Sequence, residues 1–364
     1  MKKETKHFIV TLTYVCFTAF FAVLIICAGL NPVRQSDSER RPLAQFPQNI
    51  TAAGIFDGSV IEKFDAFTVD QFPLREKFRG LKALIQLQLL GIKENNGLAV
   101  QEGYIAKITP EFTEGLVNGS IQRLSYVYEK FVTGNAYVCL IPDKNYYLGR
   151  DYGYPMPDYD GLAKKLQTSL PGAKYVDIFD ALTLESYYRT DTHWRQEALD
   201  EVAYRLCRAL KIPYKEDYTQ HTLQGFKGVY YGQSALSPKP DDLVYLSDSA
   251  LVNCIVYDYE TDKTTGIYDR EKFHGKDGYD VFLGGTKALL RIDNPGAEND
   301  RELVVFRDSF GSSLVPLLVQ GYKRIYVVDI RYIVPDAITH YIDMEGKDTL
   351  FLYSALILNQ KAFK

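Results

Sequence analysis

The chain has 364 residues, with 42 basic against 46 acidic side chains and a formal net charge of −4. That near balance excludes a nucleic-acid binder working through bulk positive charge. Hydrophobic residues at 46% and charged residues at 24% exclude a disordered tail and fit two domains or one large α/β domain with insertions. Five Cys residues without a C-x-x-C pair supply neither a disulfide framework nor a zinc ribbon.

In chain order, the first feature is an uncharged apolar run at residues 8–30, ending at Asn31-Pro32. As a helix it spans roughly 34 Å, enough for a hydrocarbon core of about 30 Å. It is longer than the apolar core of a cleavable signal peptide, and bulky Ile26 before Cys27 argues against a lipoprotein site. Lys2, Lys3 and Lys6 precede it, so the positive-inside rule predicts a single-pass membrane protein with a cytoplasmic amino terminus. The division expected is a cytoplasmic tip and membrane anchor at 1–30, a Pro- and Gly-punctuated stalk at 31–58, and an extracytoplasmic domain at 59–364. These first residues contribute +2, which leaves −6 for everything beyond residue 30.

From Ser59 to Leu90 apolar residues recur at helical spacing, and Phe72-Pro73 divides the stretch into two helices. Strand and helix signals then alternate. Apolar β-branched runs lie at 137–142, 174–179, 303–306, 324–329 and 349–353, and helical patterns at 158–170, 195–210, 311–320 and 334–343. Short continuous apolar strands between helices predict an α/β fold, a parallel sheet with helices on both faces. Residues 212–300, rich in Gly, Tyr and Asp, break that rhythm and are expected to form an irregular insertion with short antiparallel strands.

Two segments carry residues suited to chemistry. In LVVFRDSFGSSLVPLL (303–318) a strand runs into Arg307-Asp308-Ser309 and a helix begins directly after. Ligands of open α/β sheets bind at the carboxyl ends of strands, and a helix amino terminus favours developing negative charge. Ser309 is therefore either a nucleophile or a helix cap. In YYRTDTHWRQEAL (187–199), Asp191 and His193 flank Thr192, and Trp194 is the single Trp of the chain. A serine hydroxyl needs a base to take its proton, and a histidine base needs a carboxylate to fix its tautomer. His193 is otherwise a hydrogen-bonded core residue. No H-E-x-x-H, no second His at ligand spacing and no phosphate loop occurs, so neither a metal nor a cofactor is expected.

Taken together, the ordered pieces SERRPLAQFP (38–47), FTVDQFPLR (67–75), IPDK (141–144), YYRTDTHW (187–194), VFLGG (281–285) and FRDSF (306–310) resemble the DHHW family and its alginate O-acetyltransferase relatives of the AlgJ/AlgX type, within the SGNH hydrolase-like superfamily. The resemblance covers most of residues 38–353. It implies an SGNH-like fold with Ser309 as nucleophile, His193 as general base and Asp191 as orienting carboxylate. The superfamily's G-D-S has Arg307 in place of glycine, its G-x-N-D block is not visible, and DTHW matches the alginate-type version. Gly285 and Thr286, in a Gly-rich turn, join Trp194 and Arg307 as candidates for oxyanion or substrate contacts. The resemblance implies a membrane-anchored O-acyltransferase that acetylates a cell-surface or exopolysaccharide beside a multi-spanning membrane acyltransferase. The alternatives are a carbohydrate acetylesterase and a non-catalytic polysaccharide assembly or binding protein.

Overall fold

A computed structural model describes residues 2–30, 32–236 and 238–363. Met1, Asn31, Ser237 and Lys364 lie outside the described residues, as do the side chains of Lys2, Lys3, Glu4 and Lys6 on which the expected orientation rests. The chain forms two units, one of residues 1–92 with 232–237 and the other of residues 93–231 with 238–364.

The first unit begins with helix α1 (Lys2–Leu30), of which His7–Leu30 is long and apolar enough to cross a membrane. Phe8, Phe17, Phe20 and Ile26 along it are all exposed. Helix α2 (Ser59–Asp70) and helix α3 (Arg75–Leu84) follow, divided as the Phe72-Pro73 break predicts, with Leu74 in a left-handed conformation at φ 61°. Two buried side chains at the end of α2 hold the preceding segment. Asp70 accepts from both terminal nitrogens of Arg41 (2.8 and 2.6 Å) and from the Ala44 amide (2.8 Å). Gln71 exchanges hydrogen bonds with the Val33 backbone in both directions.

In the second unit, β1 (Leu98–Gln101) and β2 (Tyr104–Lys107) form a small hairpin. There follow α4 (Glu114–Phe131), β3 (Ala136–Ile141), α5 (Lys144–Tyr152), α6 (Tyr159–Ser169), β4 (Lys174–Tyr175) and α7 (Asp200–Leu210). Next come β5 (Thr219–Phe226), β6 (Asp241–Ser247), β7 (Ile255–Asp258), β8 (Lys263–Thr265), β9 (Leu289–Asp293), β10 (Glu302–Arg307), the short α8 (Gly311–Leu314), β11 (Arg324–Val328) and β12 (Asp348–Ser354). Among the described residues eight of these strands make one sheet, in the order β8-β7-β9-β11-β10-β12-β3-β4. From β11 to β4 all pairings are parallel, while β9, β7 and β8 join antiparallel at the other edge. The segment expected as an insertion thus has its short antiparallel strands, and three of them extend the main sheet.

The central strands carry continuous apolar runs, broken by polar residues at their ends, because both faces are covered. On β10, Leu303 and Val305 pack with Val202, Leu206 and Leu210 of α7, whereas Val304 and Phe306 pack with Leu124 and Val127 of α4. Cys139, Cys207 and Cys254 are buried in the α7-side core, and all five cysteines are free. Helices α4 and α5 were not anticipated. The run expected at 174–179 pairs only over Lys174–Tyr175 before entering a 3₁₀ turn at Phe179–Ala181. The helix expected at 311–320 is α-helical only to Leu314 and continues as 3₁₀ from Val315 to Gly321. Pro316 has no amide for an α-helical bond there. The one expected at 334–343 is a 3₁₀ turn, Pro335–His340.

Candidate active site

Ser309 sits two residues beyond β10, at the carboxyl end of a strand in the parallel part of the sheet. The turn that carries it is fixed from inside. Buried Asp308 accepts from the Phe310 amide (3.0 Å) through one oxygen, and from the amide (2.9 Å) and hydroxyl (2.5 Å) of Ser354 through the other. The elbow is therefore pinned to the end of β12. Glycine is required at 311, since a Cβ there would stand 2.8 Å from Cβ of Arg307. Phe310, not Ser309, precedes the first helical residue, and the Ser309 hydroxyl makes no capping bond.

That hydroxyl instead lies 2.8 Å from Nε2 of His193, 116 residues earlier in sequence. Nδ1 of His193 is 2.6 Å from Oδ1 of Asp191, and the His193 amide donates to the same oxygen at 3.0 Å. A carboxylate only accepts, so Nδ1 carries the proton and Nε2 is left as acceptor for the serine hydroxyl. Oδ2 of Asp191 takes the Val229 amide at 2.8 Å. Burial alone would raise the Asp191 carboxyl. The electrostatic pull of the neighbouring His193, its ring and amide hydrogen bonds and the Val229 amide outweigh it and hold the group well below the usual carboxylate range.

The loop that presents Asp191 and His193 is closed on itself. The Tyr188 amide donates to the His193 carbonyl (3.1 Å) and the Arg195 amide to that of Ser186 (2.8 Å). Asp241, at the start of β6, accepts from the Arg189 and Thr190 amides and the Thr190 hydroxyl at 2.6–3.0 Å. Gly228 passes so close that a Cβ on it would meet the Thr190 carbonyl at 2.4 Å and Cβ of Asp191 at 2.3 Å.

Tyr279 lies flat on the His193 ring, with centroids 3.9 Å apart and planes within 5°, and Phe310 flanks it at 4.9 Å. The Tyr279 hydroxyl reaches Ser313 Oγ at 2.8 Å. Trp194 binds the same region from the histidine side. Expected among the oxyanion or substrate candidates, it is fully buried, and its indole N–H donates to the Phe310 carbonyl and Ser313 Oγ, both at 3.0 Å. Its work is to lock the histidine loop to the serine elbow.

Arg307 is likewise inside rather than in a cleft. It is 1% exposed and donates to the Asp308 carbonyl at 3.3 Å, and burial lowers its guanidinium from its ordinary value. Gly285 donates its amide to the Phe282 carbonyl, and Thr286 is exposed. Among the described residues neither hydrogen-bonds Ser309, His193 or Asp191, and the nearby segment touches the histidine through Tyr279. Among the described residues the Ser309 amide has no acceptor, which leaves it available to an oxyanion.

Residues 179–328 match the family described as DHHW protein. The fold superposes on the crystal structure of a DHHW family protein from Eubacterium siraeum with a TM-score of 0.61 and 24% identity, covering 74% of this chain and 94% of that one. PatB1 of Bacillus cereus, solved with a sulfonyl adduct, aligns with a TM-score of 0.56 and 20% identity over 73% of this chain and 98% of that one. The O-acetyltransferase domain of Pseudomonas putida AlgJ aligns with a TM-score of 0.43 and 12% identity, over 73% and 93%. No protein of curated function matches the sequence. The fold these neighbours share is α/β, built on a largely parallel sheet.

Proposed function

From the DHHW match over residues 179–328 and the hydrogen-bonded chain Ser309–His193–Asp191, we propose that the protein is a membrane-anchored O-acyltransferase that acetylates a cell-surface or exopolysaccharide. The observation that carries the reading is the 2.8 Å approach of Ser309 Oγ to a His193 ring whose other nitrogen is held by Asp191. The polysaccharide and the acetyl group follow from the ordered motifs shared with the alginate O-acetyltransferase relatives.

In the proposed reaction His193 Nε2 takes the Ser309 proton as Oγ attacks the acyl carbonyl. The oxyanion that develops points to the Ser309 amide. Collapse expels the donor's leaving group, which receives the proton from His193, and leaves acetyl-Ser309. A sugar hydroxyl then gives its proton to Nε2, attacks the ester and carries the acetyl group away, and the proton returns to Ser309. Throughout, Asp191 remains ionised and stabilises the imidazolium. By this reading α1 anchors the chain with its amino terminus in the cytoplasm, and a multi-spanning membrane acyltransferase hands acyl groups across.

An activated acetyl ester, or a sulfonyl fluoride, offered to the purified full chain should modify Ser309, as read by peptide mass spectrometry. Ser309→Ala should abolish the adduct, and Asp191→Asn should slow it toward the roughly 10⁴-fold loss known for the equivalent serine-protease change. With an oligosaccharide present, acetyl should reach sugar faster than water, because a bound hydroxyl has a large effective concentration. Acetate release unaffected by sugar would identify an esterase. Polysaccharide binding with no Ser309 adduct would identify a scaffold.

A further inference from the structure

The IPDK segment at 141–144 ends in a side chain to which the triad chemistry assigns no part. Lys144 opens α5 and is 2% exposed. Its ammonium donates to the main-chain carbonyls of Ile105, Tyr188 (3.0 Å) and Arg189 (3.4 Å), and stands 5.1 Å from the centre of the Tyr230 ring. Three N–H bonds meet three main-chain oxygens. Two of those oxygens belong to the residues that lead into Asp191, and the third belongs to β2, whose Ile105 amide also donates to the Arg189 carbonyl at 2.8 Å.

The same stretch is gripped on its amide side by Asp241. Residues 188–190 are therefore held between a buried cation on their carbonyls and a half-buried carboxylate on their amides. A neutral amide side chain would offer only two N–H groups to the three carbonyls. It would also supply no charge against Asp191, Asp241 and Asp143, the three carboxylates whose fields favour the ammonium. Burial opposes that charge and lowers the Lys144 ammonium to about 7.

We propose that Lys144 is the positioning residue of the triad. By clamping the Tyr188 and Arg189 carbonyls it fixes the loop that aims His193 at Ser309, and its charge compensates the buried Asp191 carboxylate. The inference rests on the triad reading above.

The test uses the full chain in detergent micelles with Lys144→Met, which keeps length but removes donors and charge, and Lys144→Arg, which keeps both. Leu166→Ala, in the core on the opposite sheet face, controls for lost stability alone. Two quantities are read: the rate of Ser309 modification by the activated ester, and the far-downfield proton resonance of the His193 Nδ1–H bonded to Asp191. A displacement near 1 Å costs about 100-fold in such chemistry, so Lys144→Met should lose between about 10- and 100-fold in rate and broaden or lose the resonance. Lys144→Arg should recover most of both, and Leu166→Ala should change neither at a comparable melting temperature. Wild-type rate and an intact resonance in Lys144→Met would overturn the proposal, as would a loss no larger than that of Leu166→Ala. Should Lys144→Met fail to fold, Lys144→Gln, with two donors and no charge, must fall between Arg and wild type on one side and inactivity on the other; equality with wild type overturns the proposal. If wild-type Ser309 takes no label, the triad reading fails, while the His193 resonance still reports whether Lys144 holds the loop.

Discussion

Asp191 and Asp143 are both buried carboxylic acids in the same neighbourhood, and their surroundings push them in opposite directions. For Asp191 the electrostatic pull of His193 and the donated hydrogen bonds override burial. For Asp143 burial wins and raises the group to about 6, against hydrogen bonds from the Asn145 amide (2.8 Å) and the Tyr159 hydroxyl (3.0 Å) and the charges of Lys144 and Lys107. The contrast separates a carboxylate held ionised beside His193 from an acid that titrates in a physiological range. The folded value of Asp143 lies above its ordinary 3.8, so its protonated form is the one the fold prefers. The stability this contributes, up to about 3 kcal/mol, is complete below roughly pH 4 and is lost as pH rises through about 6. Asp143→Asn keeps an acceptor oxygen and cannot ionise. Paired thermal melts should show wild type falling relative to this variant between about pH 4 and pH 7; a difference that stays flat or rises would contradict the assignment.

Helix α4 shows how an element's burial sets its worth. Val117, Ile121, Leu124, Val127 and Phe131 recur at spacings of four and three and line one face against the sheet. Leu124→Ala empties a fully buried position there and should cost about 2–5 kcal/mol, measured by denaturant titration. Loss of under about 0.5 kcal/mol would mean that the face is not packed as described. The helical period of α4 is as plain in the sequence as that of α2, and its apolar positions can be read there. Strands β10 and β12 were legible because burial on both faces leaves uninterrupted apolar runs. Truncation of β4 and the 3₁₀ continuation after α8 were not, since they depend on sheet pairing and on one missing proline amide. At the site, the serine elbow and the D-x-H loop are local patterns and could be read. Tyr279 acts by lying on a ring 86 residues away, and Lys144 by bonding main-chain oxygens of other segments. A lysine at the start of a helix reads as solvated, and only the folded chain reveals that it is sealed in.

At the scale of the whole molecule, the apolar stretch His7–Leu30 of α1 is long enough to cross a membrane, and single-pass anchoring can be tested directly. Protease added to intact protoplasts should remove residues beyond about 31 and leave a small protected fragment carrying α1, visible by immunoblot of an amino-terminal tag. Full-length soluble protein in the cytoplasm would contradict single-pass anchoring. The second unit keeps its thiols inside. Cys139, Cys207 and Cys254 are free and buried, and burial raises all three above the ordinary thiol value. Each transient opening of the α7-side core therefore uncovers a thiol that an oxidant can reach, so trapping of these cysteines by a thiol reagent reports how often that core breathes.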